Sequence, residues 1–205
     1  MTRRVVMGLL MVATAWGCSR SEPVAGPNEE NVVASTWRPV AEVDLTPAQN
    51  AQIDRALAAK GELAKTLMGE VKAELEIGGP SGAVTVCRDM APMISEHVAD
   101  NHRLSIGRTS HRLRNPNNLA PAWAEPAINE IVETAWYVEG PAGELGAILP
   151  IKLAAPCLAC HGPADGLDED VRSAIAESYP DDQATGFAEG DLRGWFWVEV
   201  PAEGS

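Results

Sequence analysis

The sequence predicts an α+β fold whose strands form an antiparallel sheet. Helix-like patterns come first, at residues 46–77 and 81–99, and strand-like patterns come mostly later, at residues 103–110, 143–154 and 191–200. Helices and strands that are separated along the chain are typical of α+β proteins. A length of 205 residues with 45% hydrophobic content suits one domain with flanking segments.

The N-terminus resembles an export signal. A short basic start is followed by an apolar run at residues 5–15, too short for a permanent span, and by small residues before Cys18. This pattern resembles a bacterial lipoprotein signal, so we expect residues 1–17 to be removed and Cys18 to be acylated. The alternative is an ordinary cleaved signal with an incidental cysteine. We therefore expect a periplasmic, membrane-anchored lipoprotein, with the outer membrane preferred because Ser19 is not acidic.

Residues 18–45 are rich in Ser, Pro, Gly, Asn and acidic side chains, which predicts a flexible tether. The folded domain is then expected at residues 46–205. The formal net charge is −13. This acidic balance argues against nucleic acid as a partner, because nucleic-acid binding requires a basic face.

The first helix has a clear start signal at residues 46–49. Thr46 can cap the helix, Pro47 suits the first helical position, and Gln49 can complete a capping box. Apolar residues then recur at three-, four- and seven-residue spacing, which predicts a long amphipathic helix. Its expected apolar face is Ile53, Leu57, Ala64, Leu67, Val71 and Leu75, and the glycines and proline at residues 78–80 should end it.

A second helix is predicted at residues 81–99. Cys87 belongs to its apolar face and should point inward with Val84, Ala91, Ile94 and Val98. Pro92 should bend this helix and remove one backbone hydrogen bond.

The remaining elements are assigned from alternation, turn residues and helical spacing. They are a strand at 103–110, a turn at 114–118, a helix at 121–137, a strand at 143–154, a short helix at 168–179 and a strand at 191–200. In the last strand, alternation puts Trp195 and Trp197 on one face and Phe196 and Val198 on the other.

Cys157, Cys160 and His161 form a CxxCH motif. In c-type haem attachment the two thiols add to the haem vinyl groups and the histidine becomes an axial iron ligand. One such motif predicts one covalently attached haem c with its iron. The alternatives are a zinc half-site completed by Cys87 and a histidine, or a redox-active disulfide. The sequence offers neither a second CxxC pair nor a thioredoxin-like βαβ context.

The pattern leaves the second axial ligand of the iron open. Histidine with methionine is a common pair in electron-transfer cytochromes, but a methionine on a helix is more often core filler. The candidates are Cys87, His97, His102, His111, Met68, Met90 and Met93. We expect His97 and His102 to be exposed and His111 to lie among arginines. Cys87 is unpaired and inward-facing, so it is either a ligand or a small buried apolar residue.

Several segments resemble a family of exported c-type haem domains with a PAS-like fold, first described as a domain of unknown function. They are AVTVCRDMAP at 83–92, IGRTSHRLRNPNN at 106–118, CLACHG at 157–162 and GDLRGWFWV at 190–198. The resemblance covers most of residues 46–200. It implies a PAS-like antiparallel sheet with long N-terminal helices around one covalently bound haem.

The resemblance also implies roles for individual residues. Cys157 and Cys160 would bind the haem covalently, and His161 and Cys87 would be the axial ligands of the iron. Members of the family differ in their second ligand.

Three arginines of the 106–118 segment are implied to lie near the haem propionates. They are Arg108, Arg112 and Arg114, and a guanidinium fork matches a carboxylate. Solvated surface charge is the alternative for each of them.

These features predict an exported monohaem cytochrome that acts in electron transfer or redox sensing with an unidentified partner protein. A thiolate ligand lowers the iron's reduction potential and can leave once the iron is reduced. The alternative function is therefore sensing of a gas or small ligand after Cys87 dissociates. A peroxidase-like enzyme, with His111 and Arg112 as the distal pair, is a third hypothesis; otherwise we expect no catalytic residues.

Overall fold

The computed structural model describes residues 36–204. The predicted signal peptide, Cys18 and residues 19–35 of the predicted tether lie outside this range. Within it, five strands form one antiparallel sheet in the order β1-β3-β4-β5-β2. The strands are β1 Arg38–Val40, β2 Ser105–Thr109, β3 Trp136–Glu139, β4 Leu145–Lys152 and β5 Leu192–Val200. The predicted α+β class with an antiparallel sheet and long N-terminal helices is confirmed.

The helices lie before β2 and in the connections between strands. They are α1 Pro47–Ile77, α2 Gly79–Thr85, a π-helix at Val86–Met90, α3 Ala91–His102, α4 Glu125–Asn129, α5 Leu158–His161 and α6 Glu169–Ser178. Short 3-10 turns occur at Glu42–Asp44, Ala122–Ala124, Ala155–Cys157 and Ala164–Gly166. None of the helices in residues 36–204 has the length and apolarity needed to cross a membrane.

The start of α1 is stabilised by the predicted capping box. The Thr46 hydroxyl accepts from the Gln49 N–H at 3.2 Å, and the Gln49 side-chain oxygen accepts from the Thr46 N–H at 2.9 Å. The predicted buried face is wrong at two positions, because Leu57 and Leu75 are 43% and 40% exposed. The small side chains of Ala56 and Ala59 are fully buried instead, and they let the helix pack closely against the sheet.

Each face of the sheet carries its own core. Alternation along the central strands sends Leu145, Ala147 and Leu149 of β4 towards α1 and α3, together with Phe196 and Val198 of β5. The opposite face carries the indoles of Trp37, Trp123, Trp136, Trp195 and Trp197. The alternation predicted for β5 is therefore confirmed.

Two boundaries predicted from the sequence are wrong. The predicted helix at 121–137 ends at Asn129, and Trp136 and Tyr137 belong to β3. Pairing with β4 buries Tyr137 to 7% exposure, and this tertiary burial overrides the local helical pattern. Residues 38–40, assigned to the tether, form the edge strand β1 along β3, so the folded part begins before residue 46.

The predicted helix at 81–99 is continuous in space but changes its hydrogen-bond register. The Ala91 N–H donates to the carbonyl of Val86, five residues back, which defines the π-helical turn that contains Cys87. Pro92 follows as the second residue of α3 and has no N–H to donate. Pro92 therefore follows directly on a π-helical turn, and the bend expected at this position stays a prediction.

Candidate haem-binding site

The CxxCH motif forms a compact turn after β4. A 3-10 turn at Ala155–Cys157 leads directly into α5, so Cys157 and Cys160 are one helical turn apart. Both cysteines are half-buried free thiols. This spacing on one helical turn lets two thiols reach neighbouring groups of the same flat ligand.

His161 is held in one tautomer by the backbone. Its Nδ1 lies 2.7 Å from the carbonyl oxygen of Ala184. A carbonyl only accepts, so Nδ1 carries the proton and Nε2 keeps a free lone pair, as in metal-ligating histidines. Burial, with a smaller effect of Arg114, lowers the pKa of His161 to about 3. The ring is therefore neutral at physiological pH and suited to bind a metal.

The residues that orient His161 form the clamp segment, residues 182–187. Backbone hydrogen bonds join it to the motif, from the Phe187 N–H to the His161 carbonyl at 3.0 Å and from the Gly186 N–H to the Gly162 carbonyl at 2.7 Å. Sequence analysis did not identify this segment. Its residues form a loop, and the sequence of a loop has neither the helical nor the strand periodicity from which elements are predicted.

Arg114 connects the clamp segment to the motif. Its guanidinium donates to both carboxylate oxygens of Asp182, at 3.0 and 3.2 Å. It also donates to the carbonyl of Cys160 at 2.7 Å. The side chains of Arg114 and Asp182 are 10% and 8% exposed, so this ion pair is largely removed from solvent.

Arg112 binds the same segment from the other side. Its guanidinium donates to the carbonyls of Gln183, at 3.0 Å, and Thr185. It also stacks 4.1 Å from the ring centroid of Phe187. Arg112 and Arg114 thus have protein partners, and their place near the haem propionates stays a prediction. The Arg108 guanidinium forms no salt bridge with a carboxylate among residues 36–204, but it lies within electrostatic range of the Cys87 thiol and the Tyr179 hydroxyl.

Cys87 lies on the π-helical turn and approaches the motif. Burial raises the pKa of its thiol, and the positive charges of Arg108, Arg114 and Arg193 partly oppose this effect. The pKa of Cys160 is raised by burial, with a smaller contribution from Cys87. The thiols of Cys87 and Cys160 are therefore within electrostatic range of each other, and Cys87 is half-buried.

Two further residues of the site were not predicted. Tyr179, which follows α6, is buried, and burial with the neighbouring Cys87 raises the pKa of its hydroxyl to about 12. Burial, followed by the charge of Arg114, lowers the pKa of Arg193 to about 10. Arg193 lies in β5 beside two tryptophans, and only the strand pairing brings it next to Arg112, whose carbonyl accepts from it at 3.0 Å.

The other ligand candidates lie in different surroundings. His97 is exposed as expected, and its Nε2 lies 3.1 Å from the Asn101 amide. His102, expected to be exposed, is half-buried because its Nε2 pairs with Glu62 at 2.8 Å. Met68 and Met93 are exposed, and Met90 packs against a small cluster that includes Leu67.

His111 is surrounded by aromatic rings. The centroid of its ring lies 5.7 Å from the ring centroid of Trp195 and 6.4 Å from that of Phe187, and both contacts have edge-to-face geometry. Its Nδ1 is buried without a hydrogen-bond partner. Arg112, its suggested partner in a peroxidase-like pair, is bonded to the clamp segment.

A cavity of about 120 Å³ opens at the edge of the sheet formed by β2. Pro92 and Ser95 of α3 line one side, and Arg108 and Trp197 line the other. The cavity thus begins about one helical turn beyond Cys87.

The side chains of the site fit a c-type haem. Its iron takes four ligands from the porphyrin, so the protein supplies one or two, and a neutral imidazole and a thiol are such donors. Two further thiols at CxxC spacing suit the vinyl groups. Within residues 36–204, no three or more His, Cys, Asp or Glu side chains are grouped so that they could hold a bare metal ion.

Comparisons with known proteins support a haem-binding protein. The sequence model of a family described as Tll0287-like matches residues 28–201. Among solved structures, the chain is similar to the crystal structure of the cyanobacterial heme-protein Tll0287, with 25% sequence identity and a TM-score of 0.56. The match covers 77% of this chain and 97% of that one. No curated protein sequence matches the chain.

Proposed function

We propose, because this chain belongs to the Tll0287-like family, that it is an exported haem protein with one covalently attached c-type haem that acts in electron transfer or redox sensing. The solved relative is described as a heme-protein, and its chain is matched over 97% of its length. Most of the described part of this chain is thus similar to a protein described as a heme-protein.

The observation that carries the proposal is the hydrogen bond between His161 Nδ1 and the Ala184 carbonyl. It fixes the tautomer in which Nε2 is free, on the histidine that directly follows Cys160. Nε2 therefore keeps the lone pair that a metal ligand needs.

Haem supplies an iron centre that exchanges one electron, and the chain provides its attachment and environment. Cys157 and Cys160 would hold the haem as thioethers, each by addition of its thiol across a vinyl double bond, with sulfur bonding one carbon and the thiol hydrogen going to the other. The addition consumes no oxidant. His161 Nε2 is the proposed axial ligand on the side of the motif.

Cys87 is the proposed second axial ligand. It comes from a different helix and lies within electrostatic range of Cys160. Burial raises the pKa of its thiol and the charges of Arg108, Arg114 and Arg193 oppose this only in part, so its thiolate form would depend on coordination to the iron. A thiolate ligand stabilises the oxidised iron, so we infer a low reduction potential.

The cellular setting is part of the same proposal. The N-terminal pattern supports export to the periplasm, with Cys18 as the acylated anchor in a membrane, preferably the outer one. Electron transfer requires a partner protein, and a chain with a formal charge of −13 suits a partner with a basic docking face.

Sensing of a gas or other small ligand is a second candidate function. One observation favours it, namely the cavity of about 120 Å³ beside α3, near the π-helical turn of Cys87. This function would require Cys87 to leave the iron after reduction. Carbon monoxide added to the reduced protein distinguishes it from pure electron transfer.

The proposal is tested by expression with a c-type maturation system, followed by measurement of covalent haem per chain. We expect one haem in the wild type and none in the double variant Cys157→Ser/Cys160→Ser. Cys87→Ala should keep the haem and lose the thiolate charge-transfer bands of the ferric spectrum. Absence of covalent haem in the wild type would refute the proposal, and an unchanged Cys87→Ala spectrum would refute only the ligand assignment.

A further inference from the structure

Phe187 is the residue of the clamp segment whose side chain contacts the ring of His161. The centroids of the two rings lie 6.5 Å apart, and the ring planes are 86° from parallel. Aromatic pairs favour this edge-to-face arrangement at centroid distances of about 4.5–7 Å. Phe187 is 4% exposed, and Cys157 and Leu158 of the motif pack against the same apolar cluster. The phenyl ring is therefore fixed next to the motif and in contact with its histidine.

The Ala184 carbonyl fixes the tautomer of His161 but leaves one rotation of its ring open. A ligating imidazole turns about its bond to the metal, and Nδ1 lies on the far side of the ring, near this axis. Such a turn therefore moves Nδ1 little, and a carbonyl oxygen accepts hydrogen bonds over a broad range of directions. A second contact with the ring is needed to hold its plane, and the Phe187 side chain provides one.

Phe187 is itself held by its neighbours in the chain and by Arg112. The Arg112 guanidinium stacks 4.1 Å from the centroid of the phenyl ring and donates to the Gln183 carbonyl at 3.0 Å. A cation within about 6 Å of an aromatic face is attracted to the ring. Gly186, directly before Phe187, has a φ of 78°, which glycine adopts without strain. The turn at Gly186 and the cation over the ring together fix the direction of the phenyl side chain.

The phenyl ring also contacts a second histidine, which connects it to the sheet. The ring centroids of His111 and Phe187 lie 6.4 Å apart at an interplanar angle of 81°. His111 in turn packs edge-to-face against Trp195, which is fully buried in β5. The Trp195 Nε1 donates to the Val132 carbonyl at 2.7 Å, so this indole is fixed as well. The Phe187 ring thus packs against a rigid part of the sheet and resists displacement by a turn of the imidazole.

We propose that Phe187 is a positioning residue that sets the angle of the His161 imidazole plane about a bond from Nε2 to the haem iron. The inference rests on the proposed function, because this bond forms only when haem is attached. It goes further, since neither the CxxCH spacing nor the tautomer of His161 determines the angle. Neighbours that orient a metal-bound histidine tune the metal. In a low-spin ferric haem the plane of the axial ligand orients the orbital of the unpaired electron, and the g values of electron paramagnetic resonance report this orientation.

Three variants of the haem-loaded protein test the proposal. Phe187→Leu removes the ring and keeps an apolar side chain. Phe187→Met is the second variant, since the flexible methionine side chain fills irregular space and preserves the fold if leucine does not. Tyr137→Leu is the matched control, because Tyr137 is also buried, at 7% exposure, but belongs to the core between β3 and α1. The measurements are covalent haem per chain and the g values of the ferric protein.

We expect covalent haem in the wild type and in all three variants. The g values should shift in Phe187→Leu and Phe187→Met and should match the wild type in Tyr137→Leu. Wild-type g values in both Phe187 variants would overturn the proposal, as would an equal shift in Tyr137→Leu. A high-spin signal in both Phe187 variants would overturn it too, because a ligand would then be lost and not turned. A wild type without covalent haem refutes the proposed function, whereas unchanged g values in loaded variants refute only the role of Phe187.

Discussion

Arg114 donates to both carboxylate oxygens of Asp182, and the same guanidinium donates to the carbonyl of Cys160. One buried cation thereby joins the attachment motif to the clamp segment that orients His161. The Asp182 carboxylate also accepts from the Ala184 N–H at 3.0 Å, next to the carbonyl that receives the His161 proton. The orientation of the histidine thus depends on an ion pair that does not contact it directly.

Substitution of Asp182 by asparagine should destabilise the protein by about 3 kcal/mol, because Arg114 would remain buried without its anion. The measurement is the free energy of unfolding in urea. The matched control is Asp181→Asn, which changes an exposed carboxylate one residue earlier. Equal effects of the two substitutions would contradict the role given to the ion pair.

Substitution of Pro92 by alanine should weaken the ligation of iron by Cys87. An alanine N–H could donate to a carbonyl four residues back, which favours an uninterrupted α-helix over the π-helical turn. Loss of the extra residue in that turn would rotate Cys87 by about 100° relative to α3. The expected result is a ferric spectrum that resembles that of Cys87→Ala.

The control for this experiment is Pro80→Ala, at the start of α2, where the missing N–H has no helical acceptor. Its spectrum should match the wild type. The prediction is contradicted if Pro92→Ala keeps the thiolate bands of the wild type while Cys87→Ala loses them. Cys87 would then ligate the iron without help from the π-helical turn.

Carbon monoxide should leave the absorption spectrum of the reduced wild type unchanged if Cys87 stays on the iron. The variant Cys87→Gly opens that position and should bind carbon monoxide with a shift of the Soret band. A wild-type shift as large as that of Cys87→Gly would instead support the gas-sensing function. Stopped-flow spectroscopy of both proteins at the same gas concentration provides the comparison.

Acid should destabilise the protein through His111. Burial, reinforced by the charges of Arg112 and Arg193, lowers the pKa of this ring in the folded state. As pH falls below about 6.5, the unfolded chain binds a proton at this position that the folded chain does not bind, so the free energy of unfolding decreases. The maximum slope for one proton is about 1.4 kcal/mol per pH unit.

The variant His111→Gln should therefore have a smaller loss of stability between pH 7.5 and pH 5.5 than the wild type. Urea unfolding at a series of pH values gives this difference. His97→Gln, which removes an exposed histidine, is the control and should follow the wild-type curve. A His111→Gln curve parallel to that of the wild type would exclude this residue as the source.

The parts of the fold that sequence analysis predicted are those with strong local signals. The capping box at Thr46, the alternation around Trp195 and the CxxCH spacing each involve residues near one another in the chain. The edge strand β1 and the strand at Trp136 were missed because their stability comes from pairing with distant residues. Local patterns contain no information about such pairing.

The same distinction applies to the candidate site. Cys157, Cys160 and His161 could be proposed from the sequence because they lie within one five-residue motif, and Cys87 because it belongs to an amphipathic face. The clamp segment and Arg193 could not be found, since their roles depend on how β5 and the loop before it pack against the motif.

The position of the clamp segment along the chain has a consequence for assembly. The attachment motif is complete at residue 161, but the carbonyl that orients its histidine comes 23 residues later and Cys87 comes from a separate helix. Thioether formation thus needs only a local stretch of unfolded chain, whereas ligation on both sides of the iron needs the finished fold. Mild denaturant should release Cys87 while the haem stays attached, so the colour of the protein would itself report whether the chain is folded.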